Sequence, residues 1–133
     1  MKTTCLKLLA ALVLVFLFNV PACWAKEKGY CYVVSYSLRD KVVFFTPVFT
    51  ATVSGAVYSQ EEFVADVELI RDIENQFQQY LSKVGLTIMD YVTEARVAYR
   101  TATIASQRLE KEKSSFEDRG FAIKKPGTFR YTN

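Results

Sequence analysis

Histidine is absent from the 133 residues of this chain. Catalytic sites that pair serine or cysteine with histidine therefore cannot form, and neither can zinc sites with histidine ligands. The five glycines are scattered singly, so there is no glycine-rich loop for binding phosphate groups. We therefore expect a protein without enzymatic activity, without a cofactor and without a metal ion.

Cysteine is also scarce. Cys5 and Cys23 lie in the first 25 residues, so Cys31 is left alone in the rest of the chain and cannot form an internal disulfide. Small eukaryotic secreted domains are often rich in disulfides, and residues 26–133 also lack an Asn-x-Ser/Thr glycosylation site. Both absences favour a bacterial envelope protein. We interpret Cys31 as a small buried apolar residue rather than a reactive thiol.

The first 25 residues have the pattern of an export signal. A short basic start precedes the uninterrupted apolar run 8–18, and Pro21 then precedes small residues that suit a signal peptidase. The run is shorter than the roughly 20 apolar residues of a membrane span. We predict a cleaved export signal over residues 1–25 and a single domain over residues 26–133. The domain would be periplasmic or secreted, with no membrane span after the signal is removed.

Cys23 supports a minor alternative. The residues VPAC at positions 20–23 resemble a bacterial lipobox, in which the cysteine is acylated and becomes the first residue of the mature protein. A proline two residues before the cysteine, such as Pro21, is unusual in a lipobox. Pro21 is better explained as a helix breaker that precedes cleavage after Ala25. Acylation would need several chains to hold the protein firmly, because one lipid chain gives only marginal attachment.

The charge balance argues against a nucleic-acid partner. Two of the 17 basic residues lie in the signal, which leaves fifteen against 14 acidic residues and a net charge of +1. Residues 26–90 carry six basic and nine acidic residues, whereas residues 91–133 carry nine and five. This asymmetry is expected if the acidic half and the basic half pair with each other within one fold. The alternative is that the basic half provides a contact surface for a partner.

The domain begins with a predicted β-hairpin. Residues 30–37 and 42–46 are rich in β-branched and aromatic side chains, and the residues between them are polar enough to turn. Pro47 ends the second strand or places it at an edge, and residues 48–53 can continue it after a bend.

Two helices are predicted next. Ser59 and Glu62 have the spacing of a capping box, and Gly85 supplies a left-handed stop, which together indicate a helix over residues 59–84. Thr101 can cap a second helix that ends at Arg119 and Gly120.

Strands are also predicted over residues 91–100, 121–124 and 128–131, which gives the order β-β-α-β-α-β-β. A strand, helix, strand passage normally joins parallel strands by a right-handed crossover. We therefore expect an α+β fold, a two-layer sandwich in which a mixed β-sheet carries two helices on one face.

The stretch from Ala95 to Ile123, which ends in Arg119-Gly120-Phe121-Ala122-Ile123, is similar to the second half of the SPOR-type envelope modules that bind glycan strands. The similarity covers less than a third of residues 26–133 and consists of a helix that ends in Gly-aromatic-Ala before a strand. The flanking hairpins depart from that family's order, so the resemblance implies no residue role.

The hairpin register divides the strand side chains between two faces. With Arg39 and Asp40 in the turn, one face carries Tyr30, Tyr32, Val34, Tyr36, Val43 and Phe45, and the other carries Cys31, Val33, Ser35, Val42, Phe44 and Thr46. Because helices on one side cover only one face, we expect the tyrosine face in the core and an open patch at Val33, Val42 and Phe44. The reverse arrangement would expose Tyr30, Tyr32 and Tyr36 as a stacking platform. Residues 48–53 or a terminus could instead cover the second face.

Four charged residues are candidates for buried ion pairs. Asp66 and Glu74 fall within the apolar arc of the first predicted helix and lie about 12 Å apart along its axis. That separation exceeds the roughly 5–9.5 Å between glycosidase carboxylates. We expect each carboxylate to pair with Arg96 or Arg100 from the sheet, because an unpaired buried carboxylate costs several kcal/mol.

These patterns favour a small, exported, non-enzymatic binding protein of the bacterial envelope. It would dock a protein partner or a second copy of itself through an open sheet face, as an inhibitor, an immunity protein or an assembly accessory. The alternative is a carbohydrate- or peptidoglycan-binding module that uses the sheet tyrosines and the basic residues of the C-terminal half.

The exported protein is predicted to begin at Lys26, because Ala25 follows a helix-breaking proline at a suitable distance. The intact mass of the exported form measures this start directly. A form that begins at Cys23 and carries added acyl mass would contradict the prediction and support the lipoprotein alternative.

Overall fold

A computed structural model describes residues 25–133. The predicted export signal up to residue 24 and the alternative acylation site at Cys23 lie outside these residues. The described part consists of a mixed five-stranded sheet and two helices, so the predicted α+β class is confirmed.

The strands and helices in chain order are β1 (Glu27–Ser37), β2 (Val42–Phe45), β3 (Phe49–Val53), α1 (Val67–Lys83), a 3₁₀ turn (Ile88–Asp90), β4 (Val92–Tyr99), α2 (Ala102–Asp118) and β5 (Ala122–Lys124).

β1 is the central strand of the sheet. β4 pairs antiparallel with one edge of β1 along residues 30–36. Since that edge is occupied, β2 and β3 pair antiparallel with the two halves of the other edge. β5 then adds parallel to β2, which makes the sheet mixed as predicted. β4 and β5 therefore run in the same direction on opposite sides of the central strand, and α2 connects them.

The bend predicted at Pro47 separates β2 from β3. Val34 pairs with Phe45 and Cys31 pairs with Phe49, so the chain has one extra residue in this interval. The hydroxyl of Thr46 accepts a hydrogen bond from the backbone N–H of Val33 at 2.9 Å. This bond takes the place of a backbone acceptor where the strand pairing is irregular.

Each face of the sheet has its own core and its own helix. The core beneath α2 contains Tyr32, Val34, Val43, Phe45, Tyr99, Ala105, Leu109, Phe116 and Phe121. The core beneath α1 contains Cys31, Val33, Phe44, Ala51, Ile73, Phe77 and Leu81. The predicted division of the hairpin side chains between two faces is therefore confirmed.

The predicted placement of both helices on one face is wrong. α1 packs on one face of the sheet, and α2 packs on the other. The physical reason is that β1 and β2 are apolar on both faces, as in strands that are buried on both sides. Helices on a single face would leave the other set of apolar side chains in water.

The first helix begins later than predicted. The hydroxyl of Ser59 does accept the backbone N–H of Glu62 at 3.1 Å, as a capping box requires. The backbone N–H of Phe63, however, donates to the carbonyl of Ala98 at 2.8 Å, which draws the chain to the edge of β4. The residue that caps α1 is Asp66, whose side chain accepts the N–H of Glu68.

The remaining helix ends agree with the predicted signals. Thr101 caps α2, and Gly85 and Gly120 follow the two helices with φ angles of 92° and 84°. The N–H of Phe121 donates to the carbonyl of Phe116 at 3.0 Å, and their ring centroids lie 5.0 Å apart. This apolar contact is typical of a Schellman stop.

The strand predicted over residues 128–131 is absent, and the C-terminal residues instead pack beside α1. The ring of Phe129 lies 5.1 Å from that of Phe77, and the hydroxyl of Tyr131 donates to Asp72 at 3.0 Å. Gly127 has a φ of 89°, which suits the predicted Pro-Gly turn.

Two adjacent phenylalanines test whether both faces are core. Phe44 is 6% exposed under α1, and Phe45 is 4% exposed under α2. Phe44→Ala and Phe45→Ala should each lower the free energy of unfolding by about 3–5 kcal/mol, the usual loss for a buried phenylalanine. Urea denaturation measures both, with exposed Val92→Ala as the control. A change at Phe44 as small as that at Val92 would mean that the α1 face is open.

Candidate functional site

The sheet faces do not provide the predicted docking surface. Of the six predicted residues, Val33, Phe44 and Tyr32 are buried, and Val42, Tyr30 and Tyr36 are partly buried. All six pack in or against the two cores, so the prediction of an open face is wrong for the described part of the chain. The alternative that a terminus adds cover holds in part, because Phe129 and Tyr131 pack against the core beneath α1.

The predicted pairing of Asp66 and Glu74 with arginines does not occur. Asp66 is exposed as the cap of α1, because the helix starts there and does not enclose it. Glu74 accepts the backbone N–H of Ala95 at 3.1 Å and thus covers a donor of β4. Arg100 is exposed, and its guanidinium lies over the ring of Phe63, 5.4 Å from the centroid.

Arg96 does form ion pairs, but with two other carboxylates. Its guanidinium lies 2.7 Å from Glu94 of the same strand and 2.7 Å from Glu112 of α2. Burial opposes the charge, but the bonds to Glu112 and Glu94 outweigh burial and raise the pKa of Arg96. An arginine held in this way stays charged and links α2 to the sheet, which is a structural role.

A helical stripe in the sequence could have identified Glu112. It shares the i, i+4, i+7 and i+11 positions of one face of α2 with the buried Ala105, Leu109 and Phe116. One carboxylate oxygen of Glu112 is buried and has no hydrogen-bond partner in the described part of the chain. Its position beside Arg96 is therefore dictated by helix periodicity rather than by a ligand.

The clearest exposed apolar surface lies in residues 57–67, which we call the 57–67 loop. Four of the eight large apolar side chains exposed in the described residues belong to it: Val57, Tyr58, Val64 and Val67, at 50%, 76%, 44% and 64% exposure. Single exposed apolar residues are common, whereas a cluster indicates an interaction site.

Backbone hydrogen bonds fix the conformation of this loop. The N–H groups of Tyr58 and Ser59 both donate to the carbonyl of Glu62 at 3.0 Å. The N–H of Val64 donates to the carbonyl of Ala56 at 2.7 Å. Two further bonds, from Phe63 to Ala98 and from Arg100 to Glu61, are each 2.8 Å long and join the loop to the end of β4. The apolar side chains are therefore held in water by an ordered backbone.

A bulge in β4 positions the strand end that holds the loop. The register between β1 and β4 shifts between Tyr30 and Tyr32, and Ala98 has a φ of 70°. Gly29 lies opposite, where an added Cβ would be 3.0 Å from the Cα of Ala98. A left-handed alanine costs roughly 1–2 kcal/mol, and such strain clusters at functional sites.

A concave surface borders the loop on the side of the chain start. It has a volume of about 610 Å³, counted with Ala25, the last residue before the predicted cleavage, and is lined in part by Glu27, Gly55, Phe63 and Arg100. Gly55 has a φ of 80°, a left-handed conformation that favours glycine. Pockets of this size can hold a side chain or a small ligand.

Charged groups of both signs border the same surface, and Glu27 lines both it and the neighbouring groove. Lys26 and Lys28 line the neighbouring groove together with Phe63 and Arg100. Arg108 pairs with Glu61 of the loop, whereas no ion pair joins Arg100 to a carboxylate within residues 25–133. The surface thus combines exposed apolar side chains with a guanidinium that can meet a partner's carboxylate or aromatic ring.

Three further features of the described residues concern other kinds of site. No three His, Cys, Asp or Glu side chains among them are grouped as metal ligands would be. None of the helices within residues 25–133 has the length and apolar character needed to cross a membrane. Cys31 is fully buried, as predicted, and burial raises the pKa of its thiol to about 11.

The sequence indicated a helix where the loop lies, because Ser59 and Glu62 mimic a helix start. A contrary signal was present: Asp66 would place a charge within the apolar arc of that helix. A charged residue at such a position is better placed as the cap of a helix that begins immediately after it.

The raised pKa of Cys31 predicts lower stability at alkaline pH. The unfolded thiol ionises near its ordinary pKa of 9.0, whereas the folded thiol ionises near 11. The unfolded state therefore binds fewer protons between these values, and the free energy of unfolding falls as pH rises. Between neutral pH and about pH 10, the free energy of unfolding measured by urea denaturation should fall less for Cys31→Ala than for the wild type. An equal fall in both would contradict the assignment to Cys31.

No protein-family model matches this chain, and comparisons with curated protein sequences and with solved structures also find no match. The resemblance of residues 95–123 to SPOR-type modules thus has no support from these comparisons.

Proposed function

We propose that this chain is a small, exported, non-enzymatic binding protein of the bacterial envelope that docks a protein partner through the 57–67 loop. The observation that carries the proposal is an ordered, hydrogen-bonded loop in which four large apolar side chains, Val57, Tyr58, Val64 and Val67, are exposed. The pattern of the first 25 residues and the scarcity of cysteine support export to the envelope.

The composition of the surface favours a protein partner. Tyrosine and arginine are the residue types that dominate binding energy at protein interfaces, and Tyr58 and Arg100 are both exposed at this site. Val57 lines the same concave surface as Arg100, and Val64 lines the groove beside β3. Because the backbone is already ordered, binding costs little loop entropy, which raises affinity for a given contact area.

The absence of histidine and the burial of Cys31 support a non-enzymatic role. The two carboxylates beside Arg96 form its ion pairs and lie between the sheet and α2. Binding therefore accounts for the exposed groups of this site more directly than acid–base catalysis does.

A carbohydrate-binding function is the second candidate, and one observation favours it. The ring of Tyr58 is 76% exposed and can stack on a sugar. Lys26, Lys28 and Arg100 line a groove with Phe63, another residue of the loop. Of the sheet tyrosines on which this alternative depended at the outset, Tyr32 is buried under α2, Tyr36 is partly buried against the same core, and Tyr30 lines the groove that holds Lys26 and Lys28.

The experiment compares capture of envelope proteins by Tyr58→Ser and by Met89→Ser. Met89 is 92% exposed but lies outside the 57–67 loop, so it is the matched control for loss of exposed apolar area. Both variants should keep the free energy of unfolding within about 0.5 kcal/mol of the wild type. Tyr58→Ser should weaken capture roughly 30-fold, the effect of a truncated interface tyrosine at about 2 kcal/mol, and Met89→Ser should not.

A glycan pelleting assay with the same variants separates the two candidate functions. A partner lost with Tyr58→Ser and retained with Met89→Ser supports protein docking. Loss of glycan binding with that pattern, and no captured protein, would replace protein docking by carbohydrate binding. Equal capture by all variants would contradict a role for the loop.

A further inference from the structure

β3 ends the sheet with an edge that has no backbone partner. Its inner side pairs with residues 27–31 of β1. No backbone hydrogen bond joins its outer side to any other segment of residues 25–133. Thr50 and Thr52 are exposed, so the strand can be reached from solvent on one face.

The other outer strands are protected against pairing. On β4, the carboxylate of Glu74 occupies the N–H of Ala95, and residues 61–63 bond to the C-terminal end. β5 has three residues and is soon followed by Pro126, which has no N–H to donate. Short strands, prolines and charged side chains are the usual means of blocking an edge.

β3 lacks a charge that could repel a second strand. Residues 42–60 contain no lysine, arginine, aspartate or glutamate, and they include the whole of β3 and both of its flanks. The strand itself, FTATV, consists mainly of β-branched and aromatic residues. An uncharged strand of this composition readily accepts another strand, and the strand residues of two copies carry no like charges against each other. The nearest charged groups, which include Asp66 and Arg100, line the grooves beside Thr52.

We propose that β3 of a second copy pairs antiparallel with this edge about Ala51, so that the chain forms a symmetric dimer with one continuous sheet. In this register Thr50 faces Thr52 of the second copy, and Phe49 faces Val53 of the second copy. Threonine pairs and pairs of an aromatic with a β-branched residue both stabilise antiparallel strands. The same patch is used on both copies, as a two-fold axis requires.

The dimer edge borders the 57–67 loop, because Thr52 and Val53 line one groove with Val64 and Val67. Tyr58 does not line that groove, so dimer formation and partner capture can still fail separately. Tyr58→Ser should leave the dimer intact while it weakens capture of a partner. Thr52→Lys should separate the dimer while Tyr58 stays exposed.

Sedimentation velocity of the purified exported protein over a range of concentrations measures the dimer. The wild type should sediment as a dimer, and Thr52→Lys should sediment as a monomer, because lysine on an edge strand disfavours pairing and the lysines of the two copies would lie diagonally opposite each other. Thr103→Lys, at an exposed position of α2, is the matched control and should remain dimeric.

The register is tested by charge complementation. Thr50→Glu alone should also separate the dimer, whereas the double variant Thr50→Glu/Thr52→Lys should restore it, because each new glutamate then faces a lysine of the second copy. Circular dichroism of each variant shows whether it is folded, and the double variant tests the register even where one single variant unfolds.

A wild type that stays monomeric at every concentration would overturn the proposal. A dimer unaffected by Thr52→Lys would overturn the use of this edge, and a double variant that stays monomeric would overturn pairing about Ala51.

Discussion

The burial of β1 on both of its faces is the constraint on which the rest of the fold depends. Val33 and Val34 are adjacent in sequence, are each 0% exposed, and belong to different cores. A strand of this kind must be covered from both sides, because apolar area left in water forfeits about 25 cal/mol for each Å². The chain therefore places one helix on each face.

This arrangement also decides where the molecule can bind. With both sheet faces covered, the large exposed apolar side chains of residues 25–133 lie in loops and at the ends of helices and strands. The 57–67 loop connects β3 to α1, and its hydrogen bonds to Ala98 and Arg100 attach it to the end of β4. The bulge at Ala98 sets the direction of that strand end. The proposed docking loop and the proposed dimer edge at β3 are thus consequences of how the sheet is covered.

Features set by neighbouring residues could be predicted from the sequence. The turn at Arg39 and Asp40 gave the correct register, and with it the correct division of side chains between faces. Gly85, Thr101 and Gly120 act at the helix ends as predicted, because caps and left-handed stops depend on a few adjacent residues.

Features that depend on distant contacts could not be predicted in this way. The capping bond at Ser59 exists, but the bond from Phe63 to Ala98 prevents a helix from following it. The choice of Glu112 over Asp66 as the partner of Arg96 depends on which face α2 covers. The error about the helices had the same origin, since local patterns show that a strand face is apolar but not which element covers it.

Native-state amide hydrogen exchange of β1 tests the central claim most directly. If both faces of β1 are core, the amides of Tyr32, Val33 and Val34 should exchange only through global unfolding, with an opening free energy equal to that measured by urea. Exchange of these amides through local opening, at a lower free energy than the amides of α1, would contradict a fold organised around this strand.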